Sequence, residues 1–210
     1  MRADPSGEAL SPHPLTGVAG WARLPALRRL HLAGAALTGT IPTELGLLAS
    51  LTSLQLGYNA LRGRVPTQLG QLSALRRLGL EFNRLTGPLP SQLGCLTALT
   101  SAALQANSLS GTVPAELSAW RRVRVLLLSD NRLRGPLAFL PPLRSLRRVY
   151  LTFNELTGPL PAALSALSDL EVLDADDNQV CVHARGGRSG CPWPRRACGA
   201  SATPLLWRDV

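Results

Sequence analysis

Apolar residues at Leu51, Leu54, Leu56, Leu61, Val65, Leu69 and Leu72 recur 24 positions later at Leu75, Leu78, Leu80, Leu85, Leu89, Leu93 and Leu96. Anchoring each unit on its first apolar residue gives Leu27, Leu51, Leu75, Leu99, Val123, Leu146 and Leu170; five of the six spacings are 24 residues and one is 23. A fixed period of this length predicts a solenoid, in which no unit buries its own apolar face and each relies on its neighbours. Within a unit, pairs such as Leu54 and Leu56 around Gln55 alternate with period two, predicting one short half-buried strand per unit. Residues 1–26 read as a polar leader and a degenerate half repeat, 27–180 as the repeat domain, and 181–210 as a C-terminal cap and tail rich in Cys and Arg.

The constant polar positions are as regular as the apolar ones. Asn59, Asn83, Asn107, Asn131, Asn154 and Asn178 share one offset, and Gly63, Gly87, Gly111, Gly135 and Gly158 follow four residues on. The asparagine amides are predicted to satisfy open backbone groups of the turns, because buried backbone must find a partner. Pro42, Pro66, Pro90, Pro114 and Pro161 set an extended or turn backbone and exclude a long helix at that offset. Unit five departs from the pattern: Ala138 stands at the proline offset, FLPPL at residues 139–143 replaces the usual xxLGxL, and a local bend is expected.

LTGTIPTELG at residues 37–46, LTGPLPSQLG at 85–94 and LSGTVPAEL at 109–117 resemble leucine-rich repeats of the plant type, and the resemblance covers roughly residues 15–180. It implies an α/β solenoid, a right-handed superhelix with a parallel β-sheet on its concave face. It also implies kinship with receptor-kinase ectodomains and polygalacturonase inhibitors, hence non-catalytic recognition of a protein or peptide. Members of that family usually carry a cysteine-paired N-terminal cap, whereas here Leu15, Val18, Trp21 and Leu24 are the expected plugs and no cysteine precedes Cys95. NQVC at residues 178–181 is similar to the N-x-L-C that opens the family's C-terminal cap. The resemblance therefore implies a disulfide from Cys181 to Cys191 or Cys198, with Cys181–Cys191 the pairing taken forward. Cys95, inside the repeat, is expected to be a small buried hydrophobe.

With leucines inward, the outward strand positions vary from unit to unit while the frame does not. The candidate binding face comprises Arg29, His31, Gln55, Tyr58, Arg77, Glu81, Phe82, Gln105, Val125, Leu127, Asp130, Arg148, Tyr150, Phe153, Asp174 and Asp176. Seven parallel strands make a sheet about 30 Å wide, enough for a peptide, a protein face or a glycan. Tyr58, Phe82 and Phe153 share one offset, either as exposed interface anchors or as rings folded back over the turn. At Val125 and Leu127 an outward polar position turns apolar, which would seat a partner's hydrophobic side chain.

Charge alters this picture in one respect. The formal net charge is +9, from 22 basic and 13 acidic residues, and every basic residue is arginine. Arg28 and Arg29, Arg76 and Arg77, Arg124, and Arg147 and Arg148 occupy two adjacent offsets. They predict a broken ridge that either solvates the rim or meets an acidic polysaccharide, the second candidate partner. No stacking aromatics interleave with the arginines, which argues against nucleic acid. No run approaches the ~18 apolar residues of a membrane span, and the first residues lack the apolar stretch of a secretory signal. Family likeness thus points outside the cell, while the signal-free start leaves an intracellular scaffold as the alternative.

Chemistry has little support. Cys181, His183, Cys191 and Cys198 lack the CxxC knuckles of a zinc site, and Asp174, Asp176 and Asp177 lack the oxygen-rich loop of a calcium site, so an acidic end face is expected. His13, His31 and His183 have no nucleophile at motif spacing. No cofactor, metal or catalytic residue is therefore assigned, and the chain reads as a non-enzyme.

Overall fold

The computed structural model describes residues 13–14 and 24–181. Seven parallel strands, one per unit, follow chain order in a single sheet: Arg29–His31, Ser53–Gln55, Arg77–Gly79, Ser101–Ala103, Val125–Leu127, Arg148–Tyr150 and Val172–Asp174. Their central residues, Leu30, Leu54, Leu78, Ala102, Leu126, Val149 and Leu173, lie opposite one another across the ladder. Leu54 through Val149 are fully buried in the core. Since side chains alternate across a strand, the residues on either side of each central one face outward. A second parallel sheet of six short strands, from Arg62–Gly63 to Gln179–Cys181, closes the next side of the coil. The strand Leu37–Thr38 pairs instead with His13–Pro14.

The helical side of the solenoid consists of 3₁₀ turns at Thr43–Leu47, Thr67–Gln71, Ser91–Cys95, Ala115–Ala119 and Ala162–Ala166, and no α-helix occurs among the described residues. Each turn follows a proline of the repeat with extended backbone, φ between −60° and −67°. A fixed φ and a missing N–H suit a residue that must enter a turn and cannot continue a helix. Unit five, with Ala138 at the proline offset, has irregular turns where the 3₁₀ segment would be. Its missing residue lies in the same place: Pro114 to Ala138 is still 24 residues, but Leu117 to Leu140 is 23.

Successive 3₁₀ turns stack closely. A Cβ built on Gly94 would stand 2.5 Å from the carbonyl oxygen of Glu116 in the next turn, and Gly46 and Gly70 meet the corresponding carbonyls of Gln68 and Gln92. At the same offset in the two later turns stand Ser118 and Ser165. Ser118 faces unit five, which offers no 3₁₀ turn to stack on it.

The asparagine ladder joins the units from within. Asn131 Oδ1 accepts from the backbone N–H of Leu109 at 2.9 Å, while its Nδ2 donates to the carbonyls of Leu104, Leu128 and Ser129 at 3.0–3.1 Å. The same arrangement recurs at Asn59, Asn83, Asn107 and Asn154. Trp120 takes a position that other units fill with leucine, and its buried indole N–H donates to Leu93 O at 2.7 Å.

Two expectations about packing fail. Leu24 is exposed rather than a plug of the first half repeat, because no neighbouring unit among the described residues covers it. Leu15, Val18 and Trp21 lie outside the described residues. Cys95 is an exposed free thiol, since Leu93 and Leu96 on either side take the inward positions of that turn. The expected Cys181–Cys191 pairing falls on Cys191, outside the described residues.

Candidate functional site

The outward positions form columns across the sheet. One column, in register, is Arg29, Ser53, Arg77, Ser101, Val125, Arg148 and Val172. The next is His31, Gln55, Gly79, Ala103, Leu127, Tyr150 and Asp174. Two residues beyond the strand ends, Glu81, Gln105 and Asp176 begin a third column on the same face by strand alternation. The ladder continues there: the amides of Tyr58, Phe82 and Phe153 donate to the carbonyls of Glu81, Gln105 and Asp176 at 2.9–3.2 Å.

Tyr58, Phe82, Asp130 and Phe153 share a fourth offset, which has left-handed backbone, φ between 50° and 56°. The conformation turns the chain so that the following asparagine can reach inward. A left-handed non-glycine residue costs on the order of 1 kcal/mol. Gly34 occupies this offset in unit one, so the rings are not there for the backbone's sake. Tyr58 and Phe153 are 59% and 57% exposed and Phe82 is 45% exposed. Tyr58 and Phe82 stack on each other with centroids 4.6 Å apart and 14° between planes, leaving an aromatic surface at the mouth of the sheet.

From unit one to unit seven the face changes character. Across units one to four the small residues Ser53, Ser101 and Ala103 leave a hollow of about 230 Å³, with His31, Gln55 and Arg77 on its walls. His31 Nε2 and Ser53 Oγ are hydrogen bonded at 2.8 Å on one side of it. In units five and six Val125, Leu127 and Tyr150 are half-buried neighbours and form an apolar step. At unit seven Asp174, Asp176 and Asp177 form an acidic end, and Asp176 is held above the ordinary carboxylate pKa by desolvation first, then by repulsion from Asp174 and Asp177. Among the described residues no group of acidic, His or Cys side chains is arranged to hold a metal ion.

The arginine ridge exists in alternation rather than as a continuous line. Along its outer offset it runs Arg28, Thr52, Arg76, Thr100, Arg124, Arg147 and Glu171, so the first guanidinium groups are two strand spacings, about 10 Å, apart. Thr52 and Thr100 donate their hydroxyls to the carbonyls of Arg28 and Arg76. Arg147 and Arg148 are drawn to Glu171 at 3.6 and 3.3 Å. A larger hollow of about 490 Å³ lies off this face, among Thr97, Ser118, Arg121 and Arg122, and contains none of the predicted binding residues.

The sequence reading places these residues correctly in columns but misses the hollow. Its signal along the chain is that Ser53, Ser101 and Ala103, small residues at outward offsets, fall in units two and four.

Comparison with known proteins identifies the architecture. The leucine rich repeat model matches residues 25–85, and a second leucine rich repeat model matches residues 145–167. No curated protein matches the chain. Among solved structures, it superposes on the ectodomain of the Arabidopsis thaliana membrane receptor kinase GASSHO1/SCHENGEN3 in complex with CASPARIAN STRIP INTEGRITY FACTOR 2, with TM-score 0.76 and 34% identity over 81% of this chain and 20% of that one. It matches the plant peptide hormone receptor RGFR1 in complex with RGF2 with TM-score 0.75 and 28% identity, over 81% of this chain and 27% of that one. For the ectodomain of the Arabidopsis thaliana receptor kinase SOBIR1 the values are TM-score 0.58 and 30% identity, over 62% of this chain and 73% of that one. The chain is a leucine-rich repeat protein of the plant type. It spans about a quarter or less of the first two receptor ectodomains.

Proposed function

We propose that the chain is a non-catalytic recognition module that binds an extended peptide or protein segment along its concave sheet, from the hollow of units one to four to the apolar step of units five and six. The observation that carries this reading is the contrast between frame and columns. The inward offsets stay apolar, mostly leucine, while the outward columns pass from small and polar, through Val125, Leu127 and Tyr150, to acidic within one continuous sheet. A strip of that length and changing chemistry suits an extended ligand whose side chains are read one after another. The solved neighbours that carry peptide hormones, RGFR1 with RGF2 among them, support a peptide as the ligand. Their nature as plant receptor ectodomains supports an extracellular site of action. Among the described residues no helix is long and apolar enough to cross a membrane.

The test is selection of peptides on the protein from a displayed random library, followed by Val125→Ser with Leu127→Ser. Uncovering two apolar contacts of about 1.5 kcal/mol each predicts roughly a hundredfold loss of affinity. Both side chains face outward, so the urea midpoint stays near that of the parent protein. Undiminished binding by the double variant overturns the reading.

A further inference from the structure

The larger hollow, of about 490 Å³, opens where two successive 3₁₀ turns give way to the strands that follow them. Its lining is Thr97, Ala98, Ser118, Ala119, Arg121 and Arg122, and no acidic side chain is part of it. Arg121 and Arg122 form the short connection between Trp120 and Val123. In the other units that connection reads Ala49–Ser50, Ser73–Ala74, Thr97–Ala98, Arg144–Ser145 and Ser168–Asp169. The frame therefore asks for no long side chain there, and only this connection carries two arginines.

The protein itself makes no use of these polar groups. The three ion pairs among the described residues take Arg134, Arg147 and Arg148, and leave Arg121 and Arg122 exposed without one. Arg144, at the offset of Arg121, donates instead to the carbonyl of Ala166. Ser165 donates its hydroxyl to Ala162 O at 3.0 Å, within its own turn. Ser118, at the same offset, has no such bond, and neither its hydroxyl nor that of Thr97 has a hydrogen-bond partner among the described residues. Two guanidinium groups and two hydroxyls thus surround one opening with no acceptor of the protein between them. The backbone beneath them is fixed: Trp120 is buried and bonded to Leu93 O, Arg121 N–H donates to Ala119 O at 2.8 Å, and Thr97 N–H donates to Cys95 O at 2.9 Å. Backbone ordered in advance lowers the cost of binding.

We propose that this hollow binds a phosphate monoester, with Arg121 and Arg122 on its oxygens and the hydroxyls of Thr97 and Ser118 as further donors. At neutral pH such a group carries a charge of about −1.5 to −2 and three acceptor oxygens. Two guanidinium groups balance that charge, whereas a carboxylate or a sulfate ester would leave one of them uncompensated. The hollow falls within the roughly 300–1,000 Å³ of small-molecule sites, and the methyl groups of Ala98 and Ala119 give the organic part of the ester an apolar wall. The phosphate therefore comes on a molecule rather than as a bare ion. This site lies off the concave sheet and stands apart from the peptide reading.

The test uses the full chain, ¹⁵N-labelled, titrated at pH 7.5 and low salt with phenyl phosphate, phenyl sulfate, benzoate and, as the uncharged control, phenol. Saturable shifts at the amides of Ala98, Ser118, Arg121 and Arg122 are expected with phenyl phosphate. Phenyl sulfate and benzoate should bind at least fivefold more weakly, and phenol should leave these amides in place. Arg121→Gln and Arg122→Gln should each weaken phenyl phosphate at least fivefold at an unchanged urea midpoint, since both side chains are exposed and unpaired. Ser118→Ala should weaken it at least twofold. Arg62→Gln, an exposed arginine outside the hollow, should leave the affinity as it is.

No saturation with phenyl phosphate, or equal binding of phenyl sulfate, benzoate or phenol, overturns the phosphate site. So does an unchanged affinity in Arg121→Gln or Arg122→Gln. A loss in Arg62→Gln as large as in those variants also overturns it, because general attraction to a basic chain would then account for the binding.

Discussion

Gly94→Ala and Gly57→Ala make the same chemical change in two places, and the structure predicts opposite outcomes. At Gly94 the new Cβ meets Glu116 backbone, 2.5 Å from its oxygen and 2.8 Å from its carbonyl carbon, with the Glu116 Cβ at 2.9 Å. Carbon contacts are comfortable at about 3.5 Å, so the stacked 3₁₀ turns Ser91–Cys95 and Ala115–Ala119 would have to part by about 1 Å. Overpacking costs about 1–3 kcal/mol, and the upper end applies because the obstacle is main chain held in the array. At Gly57 the obstacle is the end of a side chain: Glu81 Oε1 at 2.5 Å and its Cδ at 2.6 Å. That side chain can swing away. A Gly→Ala change at a backbone that tolerates Ala restores about 0.5 kcal/mol through the unfolded state, so the net change should stay below about 1 kcal/mol. Urea unfolding followed by circular dichroism measures both. Ser118→Ala, at the Gly94 offset but without a stacked turn above it, serves as the control and should move stability by less than about 0.5 kcal/mol. The reasoning is refuted if Gly94→Ala unfolds within about 0.5 kcal/mol of the parent, or if Gly57→Ala falls as far as Gly94→Ala.

Other consequences can be checked with the same equipment. Asn131→Ala leaves the buried Leu109 N–H without its side-chain partner, at about 1–3 kcal/mol, and takes from the Leu104 carbonyl one of two amide donors, the other being Asn107; a urea midpoint within error of the parent would contradict the structural role of the ladder. Arg134→Ala removes a 2.7 Å ion pair to Glu155 that is largely solvent-exposed, so a loss below about 1 kcal/mol is expected despite the short distance, and a larger loss would show that the pair is coupled to packing. Asp176 has a raised pKa when folded, so its protonated form is favoured by folding; its contribution to stability is full below the ordinary carboxylate pKa and is lost as pH rises through the raised value. Asp176→Asn should therefore slow amide exchange in the last strand at neutral pH and have little effect in mild acid. The opposite ordering of those two pH conditions would contradict the assignment.

The architecture is legible along the chain because a solenoid turns one-dimensional period into three-dimensional position. Leu54 faces Leu78 because both sit at one offset, and Asn131 bonds to Leu109 and Leu104 of the preceding unit for the same reason. Pro90 and its equivalents announce a break before a turn. What stays hidden depends on residues far apart in the chain meeting side by side. The hollow appears only when His31, Gln55, Arg77 and Ala103 come together across four units, and the reach of the Glu81 side chain over Gly57 and Gly79 only when those units lie side by side. Tyr58 and Phe82 can be placed at one offset from sequence, but the left-handed turn that exposes them, and their stacking, cannot. Cys95 shows the limit from the other direction, since a cysteine among leucines suggests burial until the turn carries it to the outside.

The short fifth unit has a consequence for how such a surface can change. Its lost residue falls at residues 138–140 on the back of the coil, and Leu127 and Tyr150 still stand opposite each other on the front. Insertions and deletions at the back are thus uncoupled from the spacing of the reading face. Units could be exchanged, shortened or grafted there while the distance between successive ligand contacts stays constant, so the face behaves as a ruler whose marks can be rewritten without changing their separation.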